Sequence, residues 1–587
     1  NNHLYKKTPL LYELFRLVLT WILGCRLGDR RVGLLAAALL AVATLSVQQA
    51  HYYTVDSLFA TVALLGVLLC LRALEHDHWR DWLASGVIVG LAAGLRINGL
   101  ILMAPVLCAA VLATRGTTAQ ALSRGTHLRR TVGRCALAGG TALAVLLCLQ
   151  PYMLLDPQLY VGHGGVGNLR NAAAIATGEL PRIWTLYDSA QTPYWFHLTN
   201  LLLHATGPGL QITGLAGLVW FAFRRRSGDL ICLAFVLTFV LLIGRLEAKN
   251  IRYLTPVIPF LCISAGALLV RGTEDAGRIW RRLALTMVII CLVSGALYAA
   301  SYVRVFGQTD PRLVALDHTR DLFAPGARLG YEQTGVQMVA LTSGDDFVWK
   351  PDPLGLMFNL NAFLLAADKV HMAYSWLESV DGVVIVDVAR ARHFAAVAAE
   401  YPVEAGFYQQ LYAGQAGFEI VADVDQGPGL GPLALNFRST DPSFDGFDHP
   451  RVTVLRRTDA DLQRLSSEWI SRLRLAPTSL DTDLLSASRA LQTGDMETSR
   501  RYLDAATRNW PQHKLPTLLR CELLLREGRV AESNELWNRF SDELGPEAGL
   551  FWQHEILGLE FAGKTLNQLG AHTIGERCLA AATTLRN

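Results

Sequence analysis

A short polar stretch, HYYTVD at residues 51–56, separates two apolar segments that approach the width of a membrane. Its aspartate, Asp56, belongs to a residue type that can act as a general base or bind a divalent metal ion. The alternative without chemistry is a helix N-cap, because Asp56 directly precedes the sequence SLFA. Which of these roles Asp56 plays depends on the groups that surround it.

Other charged residues also stand at the ends of apolar segments, on the same predicted side of the membrane as Asp56. They are Arg96, Asp156, Glu247, Lys249 and Arg252. A single ionisable group at the end of a span is often a solvated interface residue. A set of them at membrane depth is instead typical of groups that line a cavity. We therefore expect a polar cavity on that side.

The composition indicates that membrane segments position these residues. The chain has 587 residues, of which 51% are hydrophobic and only 18% are charged, against about 25% charged residues in a typical soluble domain. The long apolar runs all lie between residues 10 and 302. The net charge of +3 gives no support for a nucleic-acid partner. The expected partner of the first half of the chain is therefore the lipid bilayer.

We predict ten membrane spans in this region. They lie at residues 10–26, 32–50, 57–73, 82–95, 98–113, 133–150, 207–222, 229–245, 253–270 and 283–302. The two spans on either side of the sequence GLRING are short, and we expect them to be tilted or half-penetrating helices.

Alternate connections between the spans differ in charge. The basic ones include residues 115–134, 224–226 and 271–282, and the positive-inside rule places them in the cytoplasm. Residues 51–56, the long loop 151–206 and everything after Tyr302 then lie on the exterior side. This arrangement predicts a multi-pass protein of a bacterial plasma (inner) membrane.

The membrane region, residues 1–302, is followed by two regions without spans. Residues 303–460 alternate Val- and Ile-rich strands such as DGVVIVDV with helical segments, and predict an exterior α/β domain. Residues 475–587 have a helical pattern, with Gly494 and Gly528 placed 34 residues apart, which is the period of tetratricopeptide repeats. Such a domain serves either as a packing module or as a surface for a protein partner.

Five segments, taken in order, resemble one enzyme family. They are RVGLLAAALLAVATLSVQQAHYYTVDSLFATVALL, GVIVGLAAGLRINGLILMAPVL, QPYMLLDPQLY, YDSAQTPYWFHLTNLLLHATGPGLQITGLAGL and KNIRYLTPVIPFLCISAGALL. Together they are similar to the GT-C superfamily of polyprenyl-phosphate-sugar transferases, in particular the protein O-mannosyltransferase and aminoarabinose-transferase-like group, over about residues 25–457. The resemblance implies a mainly α fold, a multi-pass transmembrane helical bundle of GT-C type with an exterior α/β domain. The C-terminal tetratricopeptide-like helical repeat domain lies outside the resemblance.

The resemblance also implies an activity. Members of this family move a sugar from a polyprenyl or dolichyl phosphate to an acceptor hydroxyl on the exterior face, and the acceptor can be a protein, a lipid or a glycan. A carboxylate activates the hydroxyl, and Asp56 is the exterior carboxylate suited to this catalytic role. The departing lipid phosphate needs fixed cations. The candidates are Arg96, Arg252 and Lys249, of which the arginines suit bidentate contact with phosphate.

Four further residues are candidates for substrate binding: His51, Tyr53, Asn98 and Arg170. A divalent metal, Mg²⁺ or Mn²⁺, held by Asp56 with His51 is an alternative to direct base catalysis, and no other cofactor is indicated. The alternatives without a role in binding are an interfacial histidine for His51 and an aromatic-belt residue for Tyr53.

The chain departs from the family pattern at its beginning. In the family the principal catalytic acid usually lies in the first exterior loop, after a first span. Here Lys6 and Lys7 lie outside and a span begins at Leu10. We therefore expect the sequence to lack the first span and most of that loop, and with them a general base that the loop could carry.

Two other functions remain open at this point. One is a transporter or flippase-like membrane protein, which should show paired repeats with broken helices in matching positions; no such internal symmetry is visible. The other is a catalytically inactive relative, in which the C-terminal repeats form a protein-binding scaffold.

The charge asymmetry makes a testable prediction about topology. A reporter fused after Arg226 is expected to stay in the cytoplasm and one fused at the C-terminus to be exported, because basic connections are retained inside. Paired fusions to alkaline phosphatase, active only outside, and to a fluorescent protein, active only inside, measure this. A cytoplasmic C-terminus would overturn the exterior assignment of Asp56.

Overall fold

The computed structural model describes residues 2–52, 54–116, 124–161, 169–274, 277–332, 346–386, 389–430, 433–434, 444, 446, 448–474, 479–542 and 552–586. Helices form most of it, with one small mixed sheet, which confirms the predicted mainly α fold class.

The membrane region is a helical bundle. Its long helices are α1 (Asn2–Leu27), α2 (Arg30–Ala41), α3 (Thr44–Gln49), α4 (Val55–His76), α5 (Trp79–Leu95), α6 (Met103–Gly116) and α7 (Arg124–Leu149). After a segment with the short helices α8 (Tyr152–Leu155), α9 (Pro157–Val161), α10 (Leu169–Thr177), α11 (Leu186–Ser189) and α12 (Leu202–Thr206), it continues with α13 (Pro208–Arg224), α14 (Ser227–Ile243), α15 (Ile258–Glu274) and α16 (Arg278–Val303).

Each predicted span coincides with helix, and the span 32–50 is divided between α2 and α3. Among the described residues, four helical segments are long and apolar enough to cross a membrane by themselves: Val55–His76, Ile97–Thr114, Gly125–Leu149 and Arg278–Gly307. Ser227–Ile243 is a shorter apolar helix. These segments support a membrane protein.

Glycines bring the membrane helices into close contact. A Cβ atom at Gly86 of α5 would lie 2.4 Å from the backbone oxygen of Ala138 in α7. On the other side of the bundle, a Cβ atom at Gly217 of α13 would lie 2.3 Å from the backbone oxygen of Ser264 in α15. Small residues at these crossings allow dispersion contacts between backbones, which is how membrane helices associate without a hydrophobic driving force.

The GLRING sequence forms a helix break, as the two short predicted spans require. α5 ends at Leu95, Arg96 is extended with φ of −150°, and a 3₁₀ turn follows at Ile97–Leu102. The turn folds back so tightly that a Cβ atom at Gly99 would lie 2.3 Å from the carbonyl carbon of Ala92. Arg96 therefore lies at the helix break, outside regular helical structure.

The connection between α7 and α13 touches two other parts of the chain. The backbone oxygen of Ala176 accepts a hydrogen bond from the Glu247 amide at 2.8 Å. Further along, the Tyr187 amide donates to Nδ1 of His393 in the α/β domain at 3.1 Å. Burial, helped by the neighbouring Arg392, lowers the pKa of His393 to about 3, so its ring stays neutral and can accept this bond.

The α/β domain follows α16. Its helices are α17 (Pro311–Leu322), α18 (Leu354–Asn359), α19 (Ala366–Glu378), α20 (Ala389–Ala396), α21 (Pro402–Tyr412) and α22 (Leu462–Arg474), and its strands are β1 (Arg328–Tyr331), β2 (Val348–Pro351), β3 (Gly382–Val386), β4 (Phe418–Val424), β5 (Gly429–Leu430), β6 (Leu433–Ala434) and β7 (Val452–Arg457). The main described sheet has the order β2-β1-β3-β7-β4. β1 is parallel to β2 and β3, whereas β7 is antiparallel to β3 and β4. The helical stretch between β3 and β4 is divided into α20 and α21, because Pro402 begins α21.

The C-terminal region is made of helical hairpins. They pair α23 (Leu480–Thr493) with α24 (Met496–Asn509), α25 (Leu515–Arg526) with α26 (Val530–Asp542), and α27 (Trp552–Gln568) with α28 (His572–Arg586). Gly494, Gly528 and Gly570 lie in the turns with φ between +75° and +81°. This left-handed conformation ends each first helix and favours glycine, which gives the sequence period a physical reason. Assignment of these hairpins as tetratricopeptide repeats stays a prediction.

The α/β domain inserts a segment into the membrane bundle. Gln48 of α3 donates through Nε2 to the backbone oxygen of Phe444 at 2.9 Å and to the Asp448 carboxylate at 3.0 Å. Phe444 is fully buried in the core of the bundle, 5.5 Å from the ring of Tyr302. The position of the domain on the bundle therefore depends on a buried polar contact.

This contact makes stability depend on pH. Burial raises the pKa of Asp448 to about 7. Because this value lies above that of an unfolded aspartate, about 3.9, the docked state is stabilised at low pH, and that stabilisation is lost as the pH rises from about 4 through 7. We expect the stability of the α/β domain to fall by roughly 3 kcal/mol between pH 5 and pH 8.

Thermal unfolding of the purified protein in detergent at both pH values measures this effect. Asp448→Asn should remove most of the pH dependence, whereas Asp459→Asn, a change at an exposed position of the same domain, should retain it. An unchanged pH dependence in Asp448→Asn would contradict the prediction.

Candidate active site

Three of the predicted site residues meet at one end of the bundle. Asp56 lies in the first turn of α4 and is only 2% exposed. A guanidinium nitrogen of Arg96 lies 2.8 Å from one carboxylate oxygen, and Nε of Arg252 lies 3.9 Å from the other. Residues from three separate segments thus form one ion cluster, in which a buried carboxylate is shared by two cations.

The two arginines pair with this carboxylate but remain partly exposed. Their side chains are 24% (Arg96) and 36% (Arg252) exposed. Within the described part of the chain, Nε of Arg252 has no partner at hydrogen-bonding distance. The ring of Tyr253 lies 5.4 Å from the Arg96 guanidinium and 5.9 Å from that of Arg252, and cation–π attraction holds both beside it. The cluster can therefore still offer donors to an anion.

The N-cap interpretation of Asp56 is wrong. The helix begins at Val55, and Thr54 occupies the N-cap position. Asp56 lies one residue further on, inside the first turn, where a negative charge is favoured by the helix dipole. Its carboxylate forms ion pairs with the two arginines, and Thr54 holds the N-cap position.

Lys249 has a structural role in place of the predicted contact with phosphate. It is fully buried, and its ammonium donates to the backbone oxygens of Asp188 at 2.8 Å and Glu247 at 3.1 Å and lies 3.3 Å from the Glu247 carboxylate. These contacts occupy the three donors of an ammonium group. The Lys249 amide also donates to the Asp188 carboxylate at 3.0 Å. Lys249 therefore fixes the segment that leads to Arg252.

His51 is placed as a packing residue. Its Nδ1 lies 2.8 Å from the backbone oxygen of Val47, and its ring stacks on Phe306 with 3.8 Å between centroids. The described residues contain no group of three or more His, Cys, Asp or Glu side chains that could hold a metal. Asp56 moreover faces two guanidiniums, whose positive charge disfavours a divalent cation. The predicted metal site does not fit these residues.

The structure gives the remaining candidates less clear roles. Asn98 is the second residue of the 3₁₀ turn, two residues after Arg96, and its Oδ1 is buried without a hydrogen-bond partner among the described residues. Arg170 is exposed on α10, the helix that contacts the segment before Lys249. Tyr53 lies outside the described residues.

The sequence analysis missed a second buried charge pair beside the cluster. Glu13 and Arg16 of α1 form an ion pair, with Arg16 fully buried. Glu13 also accepts a hydrogen bond at 2.7 Å from Ser57, the neighbour of Asp56. The signal was present, since two opposite charges three residues apart in an apolar span face the same side of a helix. This pair fixes the start of α4 against α1.

Two apolar grooves are lined by residues that lie close in sequence to the arginines of the ion cluster. A groove of about 490 Å³ begins at Asn98 and is lined further by Leu100, Ile101, Ala104, Thr238, Leu242, Ile243 and Leu246. A smaller one, of about 110 Å³, includes Leu254, two residues after Arg252, and apolar side chains of α13, α14 and α15. The site thus combines cationic donors with apolar surface on neighbouring segments of the chain.

Two solved structures match the chain at low similarity. The apo oligosaccharyltransferase of Archaeoglobus fulgidus matches with a TM-score of 0.39 and 11% identity over 76% of this chain and 77% of that one. ArnT of Cupriavidus metallidurans, bound to undecaprenyl phosphate, matches with a TM-score of 0.34 and 13% identity over 76% of this chain and 83% of that one. No curated protein sequence matches the chain.

Two family models match parts of the chain. Residues 9–137, which carry Asp56 and Arg96, match the dolichyl-phosphate-mannose-protein mannosyltransferase family. Residues 190–322, which carry Arg252, match the Alg9-like mannosyltransferase family. Both halves of the ion cluster therefore lie in segments that match mannosyltransferase families.

Proposed function

We propose that this protein transfers a sugar from a polyprenyl or dolichyl phosphate to an acceptor on the exterior face of a bacterial plasma membrane. The observation that carries the proposal is the convergence of Arg96 and Arg252 on the buried Asp56, with an apolar groove that starts at Asn98, two residues after Arg96. A lipid-linked sugar phosphate has an anionic head and a long apolar tail, and this site offers a partner for each.

The charge of the cluster suits a phosphodiester. Two guanidiniums and one carboxylate leave one net positive charge, which matches the single negative charge of a lipid-phosphate sugar. When the sugar leaves, the lipid phosphate gains a second negative charge. Fixed hydrogen-bond donors such as the unpartnered Nε of Arg252 can then bind the leaving lipid phosphate more strongly than they bind the lipid-phosphate sugar. Interactions that strengthen during the reaction are the ones that accelerate the reaction.

The groove that begins at Asn98 supports a lipid donor rather than a soluble one. Its lining is apolar apart from Asn98 and Thr238, so a prenyl chain lying there would make dispersion contacts with apolar side chains without burying polar groups. The donor named in the description of the matched family, dolichyl-phosphate-mannose, has this chemistry. The identity of the sugar and the class of the acceptor stay open in the proposal.

Asp56 is proposed to hold the two guanidiniums in the orientation that phosphate requires. A buried carboxylate with two cationic neighbours is well suited to positioning them. Its predicted role as the base for the acceptor hydroxyl requires that at least one arginine turn away during the reaction, for example onto the phosphate. Both roles make the charge of Asp56 essential.

The two alternatives have less support. Neither family match is to a transporter or flippase, and both matched families are glycosyltransferases. The ion cluster alone does not distinguish an inactive relative, because pairing the buried carboxylate is also a structural role; the transfer assays below make that distinction. A protein partner at the C-terminal hairpins is compatible with transferase activity and remains part of the proposal.

The first prediction of this proposal concerns Arg252. Arg252→Ala should lower transfer from a polyprenyl-phosphate sugar by about 100- to 1,000-fold, the usual effect of removing one donor to developing negative charge. Arg252→Lys should also be impaired, because an ammonium cannot make the bidentate contact. Transfer rates in detergent or proteoliposomes measure this.

The matched control for Arg252 is Arg245→Ala. Arg245 is an exposed arginine in the same connection between α14 and α15, so its loss should change the rate by less than about twofold, as for most surface substitutions. Equal activity of Arg252→Ala and the control would show that KNIRY is only an interfacial anchor.

The second prediction concerns Asp56. Asp56→Asn should keep the shape of the cluster but lose its charge, and turnover should fall by roughly 10²–10⁴ while the donor lipid still binds. Thermal stability and transfer rate are measured on the same preparation.

Asp81→Asn is the control for buried-charge effects on stability. Asp81 is likewise a buried aspartate in the first turn of a helix, α5, paired with Arg72 at 2.8 Å. Its variant should lose comparable stability but retain transfer. Normal transfer by a stable Asp56→Asn protein would reject the role of this charge.

A further inference from the structure

A polar cavity lies at the end of the membrane bundle opposite Asp56. Its volume is about 530 Å³, and it is bounded by the turn between α1 and α2, the last turns of α13 and α15, and the connection from α13 to α14. Its charged lining residues are Asp29, Arg224, Arg226, Arg271 and Glu274. α15 begins shortly after Arg252 and ends at the cavity. A helix of its length, 17 residues, spans about 25 Å, so the cavity is separate from the ion cluster.

The acidic groups around this cavity are already paired within the protein. Asp29 caps α2, where Oδ1 accepts hydrogen bonds from two amides of the first turn at 2.8 and 3.0 Å. The Glu274 carboxylate lies 3.1 Å from the guanidinium of Arg31. Asp229 accepts a hydrogen bond at 2.6 Å from Nε of Arg224. These carboxylates therefore neutralise Arg31 and Arg224 and one helix end.

Arginine is in excess around the cavity. The segments that bound it are residues 28–32, 220–229 and 267–274. They contain six arginines and three acidic residues, and Asp275, which follows them and lies outside the described residues, lowers the excess from three charges to two. The side chain of Arg226 is exposed and has no hydrogen bond or ion pair within the described part of the chain. Arg271 is exposed at the same cavity. The cavity therefore has a net positive charge and a guanidinium that an anion can reach.

An apolar surface extends from the cavity along α13. Phe223 lines the cavity and is 79% exposed. Val219 and Ile212 of the same helix are 56% and 65% exposed, and Ala216 between them is exposed as well. Spacings of three and four residues place these side chains on one face of the helix. Such a face on a membrane helix contacts acyl chains, which are as apolar as the side chains themselves.

We propose that this cavity binds the headgroup of an anionic phospholipid. Arg226 and Arg271 hold the phosphate, because guanidinium groups can donate two parallel hydrogen bonds to it. The acyl chains lie along the exposed face of α13. The net positive charge favours a lipid with net negative charge over a zwitterionic one, and basic pockets between membrane helices are typical sites for such lipids. The site goes beyond the proposed transfer reaction, since its ligand does not react and lies at the other end of the bundle.

The test is a lipid competition on the purified full chain. The immobilised protein in detergent is equilibrated with equimolar dioleoylphosphatidylglycerol and dioleoylphosphatidylethanolamine, and the retained lipids are quantified by mass spectrometry. The two lipids have the same acyl chains, so a preference reports on the headgroup. At an ionic strength of about 0.15 M, charges more than about 8 Å away are largely screened. We expect phosphatidylglycerol to be retained about 5- to 25-fold over phosphatidylethanolamine, since each basic residue contributes about 1 kcal/mol.

Substitutions connect this preference to the cavity. Arg226→Gln and Arg271→Gln should each lower it about two- to fivefold, and the double variant should abolish it. Both positions are exposed, so the variants are expected to fold, which thermal unfolding checks. Arg225→Gln is the matched control, because it removes the same charge one residue away. Arg225 does not line the cavity, and its Nε donates to the backbone oxygen of Ala222 at 3.3 Å. This variant should keep the preference.

Two further measurements identify the ligand and the site. Inorganic phosphate in large excess should not displace phosphatidylglycerol, because it has no acyl chains to lie along α13. Arg252→Ala should lose transfer but keep the lipid preference, which separates this inference from the proposed transfer reaction. The inference is overturned if the two lipids are retained equally, if phosphate displaces the lipid, or if Arg252→Ala abolishes the preference. It is also overturned if Arg225→Gln lowers the preference as much as Arg226→Gln, or if the cavity variants retain lipid as the unmodified protein does.

Discussion

One end of the membrane bundle is organised by one buried carboxylate. Asp56 is almost completely removed from solvent, and a buried carboxylate without partners would cost several kcal/mol. The fold provides these partners through two interruptions of helical structure. The break after α5 releases Arg96, and the 3₁₀ turn before α15 presents Arg252. Regular helices through both positions would leave the charge unpaired, so the irregular backbone at GLRING and KNIRY follows from the same constraint.

The position of Arg252 depends in turn on a buried contact between two connections. Lys249 joins its own segment to Asp188, which lies in the connection between α7 and α13. That connection also touches the α/β domain through Tyr187 and His393. A change in the α/β domain can therefore reach the arginine through three packed segments. The contacts of Lys249 with Asp188 therefore explain its burial without any direct contact with a substrate.

The apolar pattern of the sequence was sufficient to predict the helices of the membrane region, because membrane-length runs leave few alternatives. Charge at span ends was sufficient to select Asp56, Arg96 and Arg252, which the structure brings together. Charge at span ends could not show that Lys249 differs from the two arginines. A cation that binds a ligand and one that pairs internally have the same sequence signal. Glu13 and Arg16 carry a different signal, because they lie three residues apart within an apolar run and not at a span end.

Contacts between distant segments were beyond sequence reasoning. The Gln48–Asp448 contact joins residues 400 positions apart, and no periodicity encodes such a pair. Its consequence extends to the stretch at residues 51–56. Phe444 packs on Tyr302, Tyr302 lies 5.7 Å from Phe306, and Phe306 stacks on His51. The histidine that stood out as a possible ligand thus ends a row of aromatic rings that begins in the α/β domain. The row therefore forms a continuous set of packing contacts from Phe444 to His51, five residues before Asp56.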